Sequence, residues 1–273
     1  MAKKAKTDDF GAAIAEAYAF EGPALELGRA VHEGAVVPEA VVRIPVSMVN
    51  RHGLIAGATG TGKTKTLQVL SEQLSAAGVA VFAADMKGEF LSLGGIGPGV
   101  PVRATVSDFG RQLLAKVLEA NETQEQSLAL VFRFADEHGL PLLDLVVGLE
   151  DGGGNEFFGE PQLAIEDLLR TAEDGRGVIS CPELPTVQDK PALFSTALMW
   201  LVAELFEELP EVGDLPKPKL VFFFDEAHLL FDGATDAFLD SVATTVRMIR
   251  SKGIGVFFVT QTPSEFYELD ELL

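Results

Sequence analysis

Gly57-Ala58-Thr59-Gly60-Thr61-Gly62-Lys63-Thr64 is the stretch on which the fold of this chain turns. Glycines in this order let the backbone curl until successive N–H groups converge on one anion, and a helix starting just behind them adds the positive end of its dipole. Both flanks fit. Leu54-Ile55-Ala56 ahead of the loop is a short apolar run that predicts a strand, and residues 66–77 behind it place Leu67, Leu70 and Leu74 at helical spacing. A plain strand-to-helix turn would use the glycines but has no need of Lys-Thr at its end. The pattern predicts a P-loop that grips a nucleoside triphosphate by its phosphates, with Gly57, Thr59, Gly60, Thr61, Gly62, Lys63, Thr64 and Lys65 as the binding set. Lys63 would reach the β and γ phosphates, and the Thr64 hydroxyl would ligate Mg²⁺.

Two further strands carry polar ends. Leu220-Val221-Phe222-Phe223-Phe224-Asp225-Glu226 is an unbroken apolar run closed by two carboxylates, the pattern of a strand buried on both faces with its C-terminal end in a crevice. It reads as a Walker B strand. Asp225 would hold the hydrated Mg²⁺, and Glu226 would orient and deprotonate an attacking water. Gly255-Val256-Phe257-Phe258-Val259-Thr260-Gln261 is a second buried strand, ending in a glutamine. In additional-strand P-loop ATPases this strand lies between the Walker A and Walker B strands, which makes Gln261 a candidate γ-phosphate sensor; capping of the strand end is the plainer alternative.

The three motifs, together with the strand Val79-Ala80-Val81-Phe82-Ala83-Ala84-Asp85 and its tail Lys87-Gly88-Glu89, resemble the HerA/FtsK superfamily of ring-forming motor ATPases. Asn50-Arg51-His52-Gly53, Phe158-Gly159-Glu160-Pro161 and the run from Asp189 to Thr196 narrow the likeness to the bacterial HerA-like family of the YjgR type. The resemblance spans roughly residues 40–263. It implies an α/β fold with a RecA-like core of the additional-strand class, a mainly parallel sheet flanked by helices, and a helical insertion. It also implies ATP with Mg²⁺ as ligands, a hexameric ring, an arginine donated to each site by the neighbouring subunit, and double-stranded DNA as the track. Two departures stand out. The family pattern carries an arginine-containing segment well beyond the glutamine strand, so the trans-acting arginine is either outside this chain or absent from it. A longer helical insertion also stands where this chain passes quickly from Leu145 through Asp151-Gly152-Gly153-Gly154-Asn155 to Phe157.

Composition bounds the rest. A chain of 273 residues, 47% of them hydrophobic, can bury one large α/β core. The single cysteine, Cys181, permits no intramolecular disulfide. No secretory apolar segment follows Met1-Ala2-Lys3-Lys4-Ala5-Lys6, and no run reaches the roughly 18 apolar residues of a membrane span, so a soluble cytoplasmic protein without membrane contact is expected. The basic tail itself is expected to fray in solvent. A net charge of −20 leaves few cations for gripping a polyanion over the whole surface, although local patches remain open. Arg247, Arg250 and Lys252 cluster at the end of a predicted helix over 235–251; they either complement its dipole or reach DNA or a neighbouring site. The four histidines lack zinc-site spacing, and of these His228 lies close enough to Asp225-Glu226 to sense nucleotide or simply pack.

Along the chain, residues 1–50 form a lead-in with short strands at 24–28 and 41–46. Residues 51–98 and 177–273 form the ATPase core, and 99–176 a mostly helical insertion, helical over 107–138 with a break near Asn121 and a stop at Gly139. A loop is expected over 94–99, a brief strand at 177–180 and a long helix over 191–209, with Trp200 in the core. Asp85 ends its strand either as a cap or within the crevice. The predicted chemistry is in-line attack of water on the γ-phosphate with Lys63, Glu226 and Gln261 as the catalytic set. Two other readings are an ATPase that works on a protein partner and a latent nucleotide-binding protein without motor activity.

Overall fold

The computed structural model describes residues 2–84, 103–118, 120–142, 158, 163–182, 191–213, 215–230 and 236–261. Asp85, Lys87-Gly88-Glu89, the glycine-rich loop at 94–99, the short passage from Leu145 to Phe157 and the segment from 262 onward lie outside them. Seven strands and seven helices are described. In chain order they are α1 (Ala2–Ala17), β1 (Ala24–His32), β2 (Ala35–Pro45), β3 (Gly53–Ala56), α2 (Lys63–Ala76), β4 (Ala80–Ala84), α3 (Val106–Val117), α4 (Glu122–His138), α5 (Ile165–Leu168), β5 (Ile179–Ser180), α6 (Pro191–Glu208), β6 (Leu220–Phe224), α7 (Asp236–Ile249) and β7 (Ile254–Thr260).

A five-stranded sheet in the order β3-β7-β6-β4-β5, parallel at every described pairing, forms the centre. All five side chains of β6 are buried, and strand alternation divides them between two layers. Leu220, Phe222 and Phe224 join a cluster with Trp200, Leu201 and Leu205 of α6, Val246 and Ile249 of α7, and Phe109 and Leu114 of α3. Val221 and Phe223 face the other layer, where Leu67, Leu70 and Leu74 of α2 pack with Leu25, Val46 and Val49. Aromatic rings cross the strands: Phe82 and Phe222 lie 5.0 Å apart, Phe224 and Phe258 5.8 Å, and Phe223 and Phe257 5.4 Å between centroids. A sheet covered on both faces in this way is the α/β, RecA-like arrangement expected. Phe109, Leu114, Ile165 and Leu168, from the stretch read as an insertion, belong to the same cluster as the sheet.

The helical stretch breaks where the sequence predicts. Asn121 caps α4, its side chain accepting from Gln124 N while the Gln124 side chain accepts from Asn121 N, and Gly139 ends the helix in the left-handed region. Trp200 is core, 1% exposed. α7 ends in a 3₁₀ turn over Arg250–Lys252 closed by Gly253, and Lys252 Nζ lies 4.9 Å from the Phe206 ring centre.

The first 50 residues depart from expectation. The basic tail forms α1 instead of fraying, anchored where the Phe10 ring stacks on His32 at 4.4 Å. The two short strands are a long antiparallel ribbon, β1 paired with β2. Its turn is Glu33-Gly34, with φ of 49° and 80°, which matches the right-handed twist of the strands although Glu-Gly is a weak signal for such a turn. The ribbon is tied to the P-loop helix by one side chain. Gln73 Oε1 accepts from Glu26 N at 2.7 Å and Gln73 Nε2 donates to Glu26 O at 3.0 Å.

His52 joins the ribbon side to the sheet. It holds φ 54° just before β3, and its Nδ1 accepts from Val256 N of β7 at 3.1 Å. Burial disfavours the charged ring and pushes its pKa down from 6.5 to about 4; a backbone hydrogen bond at Val246 opposes the shift and the Arg250 charge adds to it. Between those two values the unfolded chain takes up a proton that the folded chain refuses. The native state therefore loses stability as pH falls from 6.5 to about 4.

Two measurements follow. Phe223→Ala, which empties the centre of the α2 layer, should lower unfolding free energy by about 3–5 kcal/mol in urea titrations followed by Trp200 emission. His52→Asn keeps a residue that tolerates the left-handed backbone but does not titrate. It should flatten the fall in stability across that acid window by up to about one proton, read as the slope of unfolding free energy against pH; an unchanged slope would assign the window to other groups.

Candidate nucleotide-binding site

Parallel pairing brings the C-terminal ends of β3, β7 and β6 to one edge. Ala56 pairs with Thr260, and Phe224 with Phe258, so β7 lies between the P-loop strand and the carboxylate strand and runs past the latter. The additional-strand order expected from the sequence is the observed order. Gly57 N donates to Thr260 O at 3.1 Å and carries the ladder one residue into the loop.

The loop is wound tightly. Gly60 and Gly62 hold φ of 78° and 96°, open to glycine and costly for a residue with Cβ. A Cβ at Gly57 would lie 2.5 Å from Thr61 Oγ1, so a larger residue there would displace the Thr61 hydroxyl. Thr61 Oγ1 donates to Ala58 O at 2.8 Å. Lys63 folds back over the curl, its Nζ donating to Gly57 O at 2.7 Å and Ala58 O at 3.2 Å. α2 starts at Lys63, three residues earlier than the apolar spacing suggests, because the periodic signal begins only with the first core residue, Leu67. Lys63, Thr64 and Lys65 thus form its first turn, whose N–H groups have no partner within the helix. Gly62, at the cap position, makes no side-chain hydrogen bond to the turn, and the positive end of the helix dipole lies at the loop. Lys65 extends along the helix to Gln68 Oε1 at 2.8 Å.

On the far side of β7, Asp225 N donates to Ala84 O at 3.0 Å, and Asp225 Oδ1 accepts from Glu226 N at 2.9 Å. Glu226 is 7% exposed and holds φ 48°. Gln261 spans the gap between the two motifs. Its Nε2 donates to Glu226 Oε1 at 2.9 Å, and its Oε1 accepts from Thr59 Oγ1 at 2.6 Å, a contact between residues 202 apart in sequence. His228 Nδ1 lies 3.6 Å from Glu226 Oε2, on the 3₁₀ turn Ala227–Leu230. The strand order therefore brings Thr59 of the loop, Gln261 and Glu226 into one chain of hydrogen bonds, with Asp225 beside Glu226. Arg247 and Arg250 stand at the end of α7, exposed. The sequence gives no sign of the Thr59–Gln261 contact, since both residues are ordinary at their own positions and meet only through the strand order.

Oxygen donors of the hard kind suit a magnesium ion: the Thr64 hydroxyl in the first turn of α2 and the Asp225 carboxylate at the end of β6.

Comparison with known proteins agrees with this construction. The family model for helicase HerA-like C-terminal domains matches residues 32–98, 89–147 and 145–269. No curated protein is similar enough to match. Among solved structures, the bacterial conjugative coupling protein TrwB in its trigonal form with sulphate aligns with a TM-score of 0.59 at 17% identity, covering 96% of this chain and 72% of that one. VirB4 of Thermoanaerobacter pseudethanolicus aligns with a TM-score of 0.58 at 17% identity, covering 93% of this chain and 80% of its own. At that identity the likeness speaks for the fold alone, whereas the family match runs through all three motifs. The chain belongs to the helicase HerA-like C-terminal family, within the HerA/FtsK superfamily of P-loop ATPases.

Proposed function

We propose that this protein hydrolyses ATP with Mg²⁺ and does so as a subunit of a hexameric ring that translocates on double-stranded DNA. The observation that carries the hydrolytic part is the Gln261 carboxamide, held between Thr59 of the P-loop and Glu226 of the carboxylate strand. A site that only bound nucleotide would need the loop and Lys63, but no buried second carboxylate tied to the loop. Support also comes from TrwB, which has been solved with ADP and Mg²⁺ and with non-hydrolysable ATP and GTP analogues.

In this reading N–H groups of the loop after Gly57 and of the first turn of α2, with the Lys63 ammonium, hold the phosphates. Thr64 and Asp225 would ligate magnesium, which when bound offsets charge developing on the phosphate oxygens. Glu226 accepts the proton of the attacking water, and the low exposure of its carboxylate limits competing solvent. Gln261, touching both motifs, carries the state of one to the other. The ring and the DNA track rest on family membership.

A second reading is favoured by one observation. The net charge of −20 suits a protein partner better than a polyanion, since nonspecific DNA affinity comes from phosphate contacts with Lys and Arg.

Steady-state ATP hydrolysis, with and without long duplex DNA, tests both. Glu226→Gln should lower kcat by about 100-fold or more while nucleotide still binds, and Lys63→Ala should weaken nucleotide binding itself. DNA should raise the rate in wild type only. Turnover that is abolished by Glu226→Gln yet indifferent to DNA would transfer the assignment to the protein-directed ATPase.

A further inference from the structure

Hydrogen counting fixes how the Gln261 bridge is oriented. An ionised carboxylate only accepts, so the group facing Glu226 Oε1 across 2.9 Å is the Gln261 NH₂. The carbonyl oxygen is thereby turned toward Thr59, 2.6 Å away, and a carbonyl oxygen cannot donate. Thr59 has one hydroxyl hydrogen, and here it is committed to Gln261. Phosphate oxygens also only accept, and Thr59 lies in the loop whose N–H groups surround the phosphate position. One hydrogen cannot serve Gln261 and a phosphate oxygen together.

A second observation concerns the base. Glu226 sits at φ 48°, a left-handed backbone that a residue with Cβ holds only when its surroundings impose it. Its side chain is gripped by Gln261 on one oxygen, with His228 beside the other. Loosening that grip lets the carboxylate leave this pose.

We propose that Thr59 is a positioning residue of a relay, Thr59–Gln261–Glu226, through which an occupied P-loop releases the base. A phosphate oxygen in the loop takes the Thr59 hydrogen, Gln261 loses the donor that fixes its carboxamide, and Glu226 Oε1 is freed to accept from water. With the loop lacking phosphate the same chain of bonds holds Glu226 turned away. The relay rests on the reading of this crevice as an ATPase site and adds to it a role for Thr59 distinct from gripping phosphate.

The test compares Thr59→Val, which keeps the shape and removes the hydrogen, with Thr59→Ser, which keeps it. Thr59→Val leaves Gln261 without its donor whether or not the loop is occupied, so it should keep kcat and KM for ATP within about twofold while its exchange over residues 224–228 without nucleotide matches that of wild type with a bound analogue. Thr59→Ser should restore the wild-type difference between free and occupied states. The double variant Thr59→Val/Gln261→Leu should be no slower than Gln261→Leu alone, because both act through one chain. Amide hydrogen exchange supplies a readout without turnover: a non-hydrolysable ATP analogue should change exchange over residues 224–228 in wild type and leave it unchanged in Thr59→Val that has bound the analogue. A kcat lowered about fivefold or more in Thr59→Val, multiplied effects in the double variant, or an exchange response that persists in Thr59→Val would overturn the relay while leaving the ATPase assignment intact. Failure of wild type to bind nucleotide, or turnover that survives Glu226→Gln, would overturn the assignment itself, and with it the relay.

Discussion

Parallel pairing of β7 with both β3 and β6 is the constraint from which the site follows. Strand ends in a parallel sheet all face the same edge, and a strand inserted between two others sets both their spacing and their relative height. β7 runs two residues past Phe258, the partner of the last residue of β6, and so carries Thr260 and Gln261 up between the P-loop and the acidic pair. Without that overhang the loop and Glu226 would have no direct connection. The apolar character of the three strands is what makes the arrangement stable: Phe222, Phe224 and Phe258 are buried in one cluster on the same face, and a slip of one residue would turn them to the other.

The two layers beside the sheet have different tasks. The layer of α3, α6 and α7 is broad and almost wholly apolar, a mass against which the strands are fixed. The opposite layer is thinner and built around α2, which begins in the phosphate loop and ends under the ribbon. Its neighbours are Leu25 from the ribbon and Val46 and Val49 from the turn before His52, so the lead-in shares a core with the P-loop helix.

How much was legible in the sequence depended on the range of the signal. The P-loop, the strand 220–224 and the strand ending at Thr260 are local patterns with a single mechanical meaning, and they were read within one or two residues. The helix break at Asn121 was equally plain, because a capping side chain and its reciprocal glutamine lie three residues apart. The ribbon was underread because its turn uses Glu-Gly, and its outward faces mix Val31 and Val36 with charged residues, so the alternation is blurred. α1 was missed because lysines and alanines with one phenylalanine give no apolar stripe; its place is set by a contact with His32 from the ribbon. His52, Gln73 and the Thr59–Gln261 pair were invisible for a common reason. Each is a polar residue whose partner is distant in sequence, and only the assembled sheet says which partner that is.

The clasp of Gln73 on Glu26 imitates the pairing of one strand with another, donor to acceptor and acceptor to donor, although one side is a side chain of a helix. The clasp couples the position of the ribbon to that of the helix. From Glu26 to the tip at Glu33 the strand extends seven residues, about 23 Å at the usual rise of a strand. A tilt of α2 by only about 5°, carried through the clasp, would sweep that tip through about 2 Å, so the ribbon lengthens the reach of small changes in the helix.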